Sequence, residues 1–234
     1  MAITGCPWDG LNAAQRRVTV ADVRECALRL PPAGVRPLRH DIPLERVRTA
    51  ATLVPIVDLD GEAAVVVTKR PATMKFHRDD WVMPGGRVDT GVDIDSAAAA
   101  RRELHEELGV NPQRVDIVGR LDSHGPIVTG FIIDVFIGIV ATGTAIRRDP
   151  HEVAEALAIP LSRLTEPGCY YEDDQVPDHD TGPVATRAAV DTNTARMSTL
   201  RFFEIRPGEL LWGTQGEILF ELFTHLYAGR RAAG

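Results

Sequence analysis

Three glutamates, Glu103, Glu106 and Glu107, crowd into five consecutive positions just before Leu108-Gly109. On a helix, the i, i+3 and i, i+4 spacings give all three one face. Each like-charge pair there costs roughly 0.2–0.5 kcal/mol, and acids in a last turn, where the dipole favours cations, cost a similar amount again. A hard divalent cation bound by carboxylate oxygens would offset that repulsion, so the trio points to metal-assisted chemistry. The bland alternative is a solvated acidic face.

The surroundings favour the first reading. A helix is predicted over 95–108, capped by Asp93 or Asp95 and ended by Gly109, with Ala97, Ala100, Leu104 and Leu108 facing inward. Upstream, Trp81-Val-Met-Pro-Gly-Gly-Arg-Val-Asp89 reads as a strand breaking into a tight loop at Pro84-Gly85-Gly86. Its glycines allow φ > 0 and close approach of backbone to a ligand. Strand, glycine loop and carboxylate helix together make a place where backbone N–H groups and bound metal could hold a diphosphate.

Gly85-Gly86 followed by Arg102-Glu-Leu-His-Glu-Glu-Leu-Gly-Val110 resembles the Nudix box, G-x(5)-E-x(7)-R-E-U-x-E-E-x-G-U with U aliphatic. The second half matches at every specified position. In the first half, fifteen residues separate Gly86 from Arg102, two more than in the general box, and the first glutamate's position falls on Ile94. Asp89 and Asp93 are the nearby acids that could replace it. The longer loop Val88-Asp-Thr-Gly-Val-Asp93 resembles the coenzyme A diphosphatase branch of the Nudix hydrolases. That branch carries the upstream signature L-L-T-x-T-(S/A)-x(3)-R-x(3)-G-x(3)-F-P-G-G. Here Thr68 and Pro84-Gly85-Gly86 match it, and Val66, Val67 and Lys75 are conservative replacements. Arg70, Pro71, Asp79 and Met83 stand where it has Thr, Ser/Ala, Gly and Phe. Ala50–Val57, Glu152–Leu161 and Leu211-Trp-Gly-Thr214 resemble further segments of the branch, so the likeness runs over roughly residues 48–228.

The resemblance implies hydrolysis of a P–O–P linkage in a nucleoside diphosphate derivative, with Mg²⁺ or Mn²⁺ as cofactor. Coenzyme A or an acyl form of it, cleaved to 3′,5′-ADP and 4′-phosphopantetheine, is the first expectation. Hydrolysis of ADP-sugars, dinucleotides or nucleoside triphosphates is the alternative, and a non-catalytic nucleotide-sensing domain is a third. Glu103, Glu106 and Glu107 are the expected ligands and catalytic acids, Glu103 being alternatively the group that takes the proton from the attacking water. Arg102 is expected to pair with a neighbouring carboxylate and fix the loop. Gly85 and Gly86 are read as shape residues that can also meet phosphate. Arg70, Lys75, His77 and Arg78 are candidates for an additional phosphate, since guanidinium and ammonium suit that group. Glu152 or Glu155 is expected to supply a further acid. His77 and His105 read as surface residues, and Trp212 as core.

Composition bounds these readings. A chain of 234 residues can bury one sizeable core, giving an N-terminal extension at 1–47, a Nudix domain at 48–228 and a tail at 229–234. A formal charge of −7 without a long basic run argues against nucleic acid and anionic membranes as partners. The partner expected is a small-molecule diphosphate, with a homodimer left open. Three scattered cysteines, Cys6, Cys26 and Cys169, with no secretory leader read as a cytoplasmic protein. A helix is expected at 21–30. Strands are expected at 50–58 and 63–69, joined by a hairpin at Leu59-Asp60-Gly61, and at 115–121, 129–139 and 201–205. Residues 152–157 read as a short strand or helix, 172–195 as a long loop, and 215–227 as a helix burying Ile218, Leu219, Leu222, Phe223 and Leu226. The fold class is therefore α/β or α+β with a mixed sheet. The Nudix resemblance specifies an α/β/α sandwich.

Overall fold

The computed structural model describes residues 5–36, 47–73, 78–125, 130–173, 200–228 and 230. Lys75 and His77, most of the 172–195 segment, the start of the strand expected from Thr129 and nearly all of the tail lie outside them. In chain order the elements are α1 (Ala13–Arg16), α2 (Val20–Leu28), β1 (Val35–Arg36), β2 (Arg48–Leu59), β3 (Glu62–Lys69), β4 (Trp81–Val82) and β5 (Gly85–Arg87). There follow α3 (Ser96–Leu108), β6 (Val115–His124), β7 (Phe131–Val140), β8 (Glu155–Pro160), α4 (Leu161–Leu164), β9 (Tyr170–Asp173), β10 (Leu200–Arg206), β11 (Glu209–Trp212) and α5 (Thr214–Leu226).

The main sheet runs β1-β6-β7-β2-β3-β4, with β5 paired to β2 and β8 to β3. It is mixed, because β2 lies parallel to β7 and β1 parallel to β6 while the other pairs are antiparallel. Alternation along the central strands makes two apolar faces. Ala51, Leu53, Val66, Phe136 and Val140 turn to one side and pack against Ala99, Ala100, Leu104 and Leu108 of α3. Val54, Ile56, Val65, Val67, Val135, Ile137 and Ile139 turn to the other, against Val23 and Cys26 of α2 and Ile218, Leu219, Leu222 and Phe223 of α5. Helices on both faces complete the expected α/β/α arrangement. Asp60 and Gly61, with φ of 52° and 80°, close the β2–β3 hairpin as a turn that needs positive φ twice.

Two features went beyond the sequence reading. The N-terminal segment is part of the core, since Trp8, Leu11 and Val18 are buried in the α2/α5 cluster. Residues β9, β10 and β11 form a second, antiparallel sheet of three strands. Its inner face, Tyr170 and Phe203, packs on Trp8, whose ring centroid stands 5.2 Å from that of Tyr170. The segment read as a loop from 172 thus begins inside a strand, and Leu211-Trp212 is strand as well as prelude to a helix.

Candidate active site

The carboxylate helix begins where Asp95 accepts the Ala98 N–H at 2.7 Å, so Asp95 is the cap. It ends at Gly109, whose φ of 66° is left-handed. The orphan carbonyls of that end are taken up by the following loop: Arg147 N–H bonds Leu108 O and Asp149 N–H bonds Glu107 O, both at 2.8 Å. This zips the loop bearing Glu152 to the end of α3.

Freed from capping, Asp93 turns to Arg102. Its two oxygens accept from Nε and Nη2 at 3.0 and 2.9 Å, a bidentate pair. Of the two acids left open by the sequence, only Asp93 reaches this arginine; Asp89 instead accepts the Gly91 N–H in its own turn. The same guanidinium donates to Glu103 at 2.9 Å, Glu106 at 2.8 Å and the Arg87 carbonyl at 3.0 Å. Arg102 thus clamps the loop after the glycines to the helix. Its hydrogen bonds hold Asp93 below the usual carboxylate range, while Asp93 and Glu103 hold Arg102 protonated.

Glu107 is the most confined of the three glutamates, with 7% of its surface exposed. Among the described residues only neutral donors bond it, Thr68 Oγ1 at 3.2 Å and Gly85 N–H at 3.3 Å. Burial, with Glu103 nearby, pushes its carboxyl up to about 7. Burial also raises Glu103, against the pull of Arg102, and Glu106 and Glu152 add to the rise. Of the two outside acids, Glu152 is the one near enough to add to the rise at Glu103. Glu155 is held instead by Arg206 of the second sheet. Arg70 lies close enough to lower Glu107.

The glycines lie in a strand and not in the tight loop expected. Gly85 and Gly86 lie in β5, paired with Thr52 and Ala51, and neither has positive φ. What requires glycine is space: a Cβ on Gly86 would fall on the Glu103 carboxyl, and one on Gly85 within 2.5 Å of the Ala51 carbonyl. The preceding turn is pinned from three sides. Met83 N–H bonds the Gln215 side chain at 2.9 Å, and Pro84 O accepts from Thr52 Oγ1 and from Leu53 N–H, each at 2.9 Å. Gln215, at the start of α5, was not foreseen, because no local pattern ties position 215 to position 83.

The model of the NUDIX domain matches residues 47–178. The chain belongs to the Nudix domain family. Among Nudix relatives, the uncharacterized Nudix hydrolase NudL of Cronobacter sakazakii is 36% identical over 126 residues, 53% of this chain and 63% of that protein. NudL of Enterobacter sp. is 35% identical over the same shares. The chain therefore spans a little under two thirds of the length of these relatives. Among solved structures, a MutT/nudix family protein from Enterococcus faecalis is similar at 12% identity and a TM-score of 0.47, over 90% of this chain and 70% of that one.

Nudix hydrolases generally use divalent cations, and the donor chemistry here fits one. Glu103, Glu106 and Glu107 offer hard oxygens, one of them buried without a cationic hydrogen-bond partner among the described residues. With Arg102 holding Glu103 and Glu106, no three ligating groups among the described residues stand ready-made around one point. Holding an ion would require those two carboxylates to turn from the arginine. No helix among the described residues is long and apolar enough to cross a membrane. The three cysteines are free and buried.

Proposed function

We propose that the protein hydrolyses a diphosphate linkage in a nucleoside diphosphate derivative, using Mg²⁺ or Mn²⁺ at Glu103, Glu106 and Glu107. The observation that carries this is Glu107, a carboxylate buried on the box helix against Gly85 and bonded, among the described residues, only by long neutral hydrogen bonds. Bound divalent metal supplies charge neutralisation at the phosphoryl oxygens and lowers the pKa of water. The chain's own residues do the rest. Arg102 and Asp93 hold the loop against α3, so that Gly86 stays pressed to Glu103. The narrow glycine strand lets a diphosphate approach the carboxylates at backbone distance. The alternative role for Glu103, with Glu152 near it, is to take the proton of an attacking water in place of binding the ion.

Coenzyme A or an acyl form is the substrate favoured within this reading, yielding 3′,5′-ADP and the 4′-phosphopantetheine half. Two departures from the branch signature are structurally mild. Asp79, in place of its glycine, adopts φ 57°, a left-handed conformation aspartate tolerates better than most residues. Met83, in place of its phenylalanine, is buried, keeping an apolar side chain there. Arg70, beside Glu107, supports a role in holding phosphate.

The test is incubation with coenzyme A or ADP-ribose at equal Mn²⁺ and enzyme, with products identified by mass. Release of 3′,5′-ADP at the higher kcat/KM supports the coenzyme A reading. Preference for ADP-ribose would move the assignment to ADP-sugars. No turnover of either, nor of dinucleotides or nucleoside triphosphates, would leave the non-catalytic reading standing.

A further inference from the structure

Beside the carboxylates, the same face of the sheet carries a polar group that neither the box nor its flanking signatures include. In register across the strands, Gly86 of β5 stands opposite Ala51 of β2, and Ala51 opposite Asp134 of β7. Residues in register share a face, so Asp134 points to the side on which Gly86 meets Glu103, roughly 10 Å away across two strand spacings. Helix α3 covers Leu53, Phe136 and Val140 on this face, but residues 131–134 remain partly exposed, the Asp134 side chain at 14%. On the next strand, Arg120 Nη2 donates to Asp134 Oδ1 at 2.7 Å and to Ser123 Oγ at 3.0 Å. Ser123 Oγ donates to the same Asp134 oxygen at 2.7 Å. The guanidinium lies 5.7 Å from the Phe136 ring centroid.

We propose that Arg120 and Asp134, positioned by Ser123, form the subsite for the nucleobase of the substrate. The inference rests on the hydrolytic reading above and extends it to base recognition. Charge decides the class of ligand. Asp134 neutralises Arg120 at hydrogen-bond distance, so the pair is a poor site for a further phosphate dianion. It does offer a donor beside an acceptor. Among the described residues, both bonds into Asp134 end on Oδ1, leaving Oδ2 to accept, and both bonds from Arg120 leave through Nη2, leaving Nε and Nη1 to donate. An adenine edge presents the complement, an amino group next to a ring nitrogen. Ser123 is buried at 1% exposure whereas Arg120 is 46% exposed, so the serine orients the pair and the arginine meets the ligand.

Calorimetric binding with Mg²⁺ tests this without turnover, using ADP, the diphosphate of purine riboside (which lacks the amino group) and ribose 5-diphosphate (which lacks the base). Wild type should bind ADP about tenfold tighter than the purine riboside diphosphate, the usual size of one charge-assisted hydrogen bond. Asp134→Asn and Arg120→Met should abolish that preference and leave ribose 5-diphosphate binding unchanged, with melting temperatures confirming the fold. Equal ADP and ribose 5-diphosphate affinities in wild type would overturn the proposal. So would variants that weaken all three ligands alike. Failure of the hydrolytic reading is separately visible as absent turnover with the base preference intact.

Discussion

Two buried glutamates sit on opposite faces of one sheet, and their surroundings differ in one respect. Glu107 on α3 and Glu221 on α5 are 7% and 4% exposed, and burial raises both carboxyls. Around Glu221 the fold brings its own cation. Arg36 of β1 stands 3.3 Å from one oxygen and the Asp122 N–H bonds the other at 3.0 Å. His124 is buried 4.0 Å away. Around Glu107 no cationic group among the described residues donates a hydrogen bond; Arg70 acts on it only from further off, and Arg102 is taken by Asp93, Glu103 and Glu106. A buried carboxylate that the chain compensates itself is a strut tying the N-terminal strand to α5. One left with neutral donors among the described residues, beside a glycine strand, is where we propose that a cation enters.

The largest expected effect separates the two directly. Glu107→Gln should lower kcat/KM about 10²–10⁴-fold, the range typical of losing a group that acts on the reacting centre. Its melting temperature should not fall, since a costly buried charge is removed. Glu221→Gln should do the reverse, leaving turnover within about threefold while lowering stability through loss of the Arg36 ion pair, with Arg36 left to Asp122 alone. Equal activity of Glu107→Gln and wild type would remove the assignment of the metal site.

Next comes pH. Burial, with Arg36 nearby, pushes His124 down to about 4 from its ordinary 6.5. Between these values the unfolded chain binds a proton that the folded chain does not, so this histidine's contribution to stability rises with pH and is lost as pH falls toward 4. Glu221, raised by burial, acts in the opposite sense, so the effect is best read as a difference between proteins. Denaturant unfolding of wild type and His124→Gln should diverge by on the order of 3 kcal/mol across that window. Parallel curves would mean that the imidazole is charged when folded.

Arg102→Lys keeps the charge but cannot reproduce the fork to Asp93. We expect about a 10–100-fold loss in kcat/KM and a destabilisation of about 1–3 kcal/mol, measured by activity and by urea unfolding. The smallest effect tests whether the two faces communicate. Gln215 on α5 holds the Met83 N–H that leads into the glycine strand. Gln215→Leu should cost about 1–2 kcal/mol in stability and shift KM several-fold, and Gln215→Glu, which restores an acceptor, should recover most of it. Unchanged KM in the leucine variant would make the two faces independent.

The box helix was legible in the sequence because every signal for it is local: the Asp95 cap, the spacing of Ala100, Leu104 and Leu108, and the glycine stop all lie within fifteen residues. The hairpin at Asp60-Gly61 was legible for the same reason. The second sheet was not, since its strands pair across a segment without periodicity and Tyr171, Phe202 and Trp212 meet only once paired. Gly85 and Gly86 announced themselves as special, but as loop formers; the crowding of their absent side chains by Ala51 and Glu103 exists only in the folded sheet.

By itself the sequence determined which residues could carry chemistry here, and on which helix, because charge type and a period of 3.6 residues need no partner to be read. Tertiary structure decided which oxygen meets which donor. It chose Asp93 over Asp89 for Arg102, paired Glu155 with Arg206 of the second sheet, and set Arg120 beside Asp134. The reason is physical: hydrogen bonds and desolvation act over a few ångströms, and residues far apart in the chain come that close only when strands pair and faces pack.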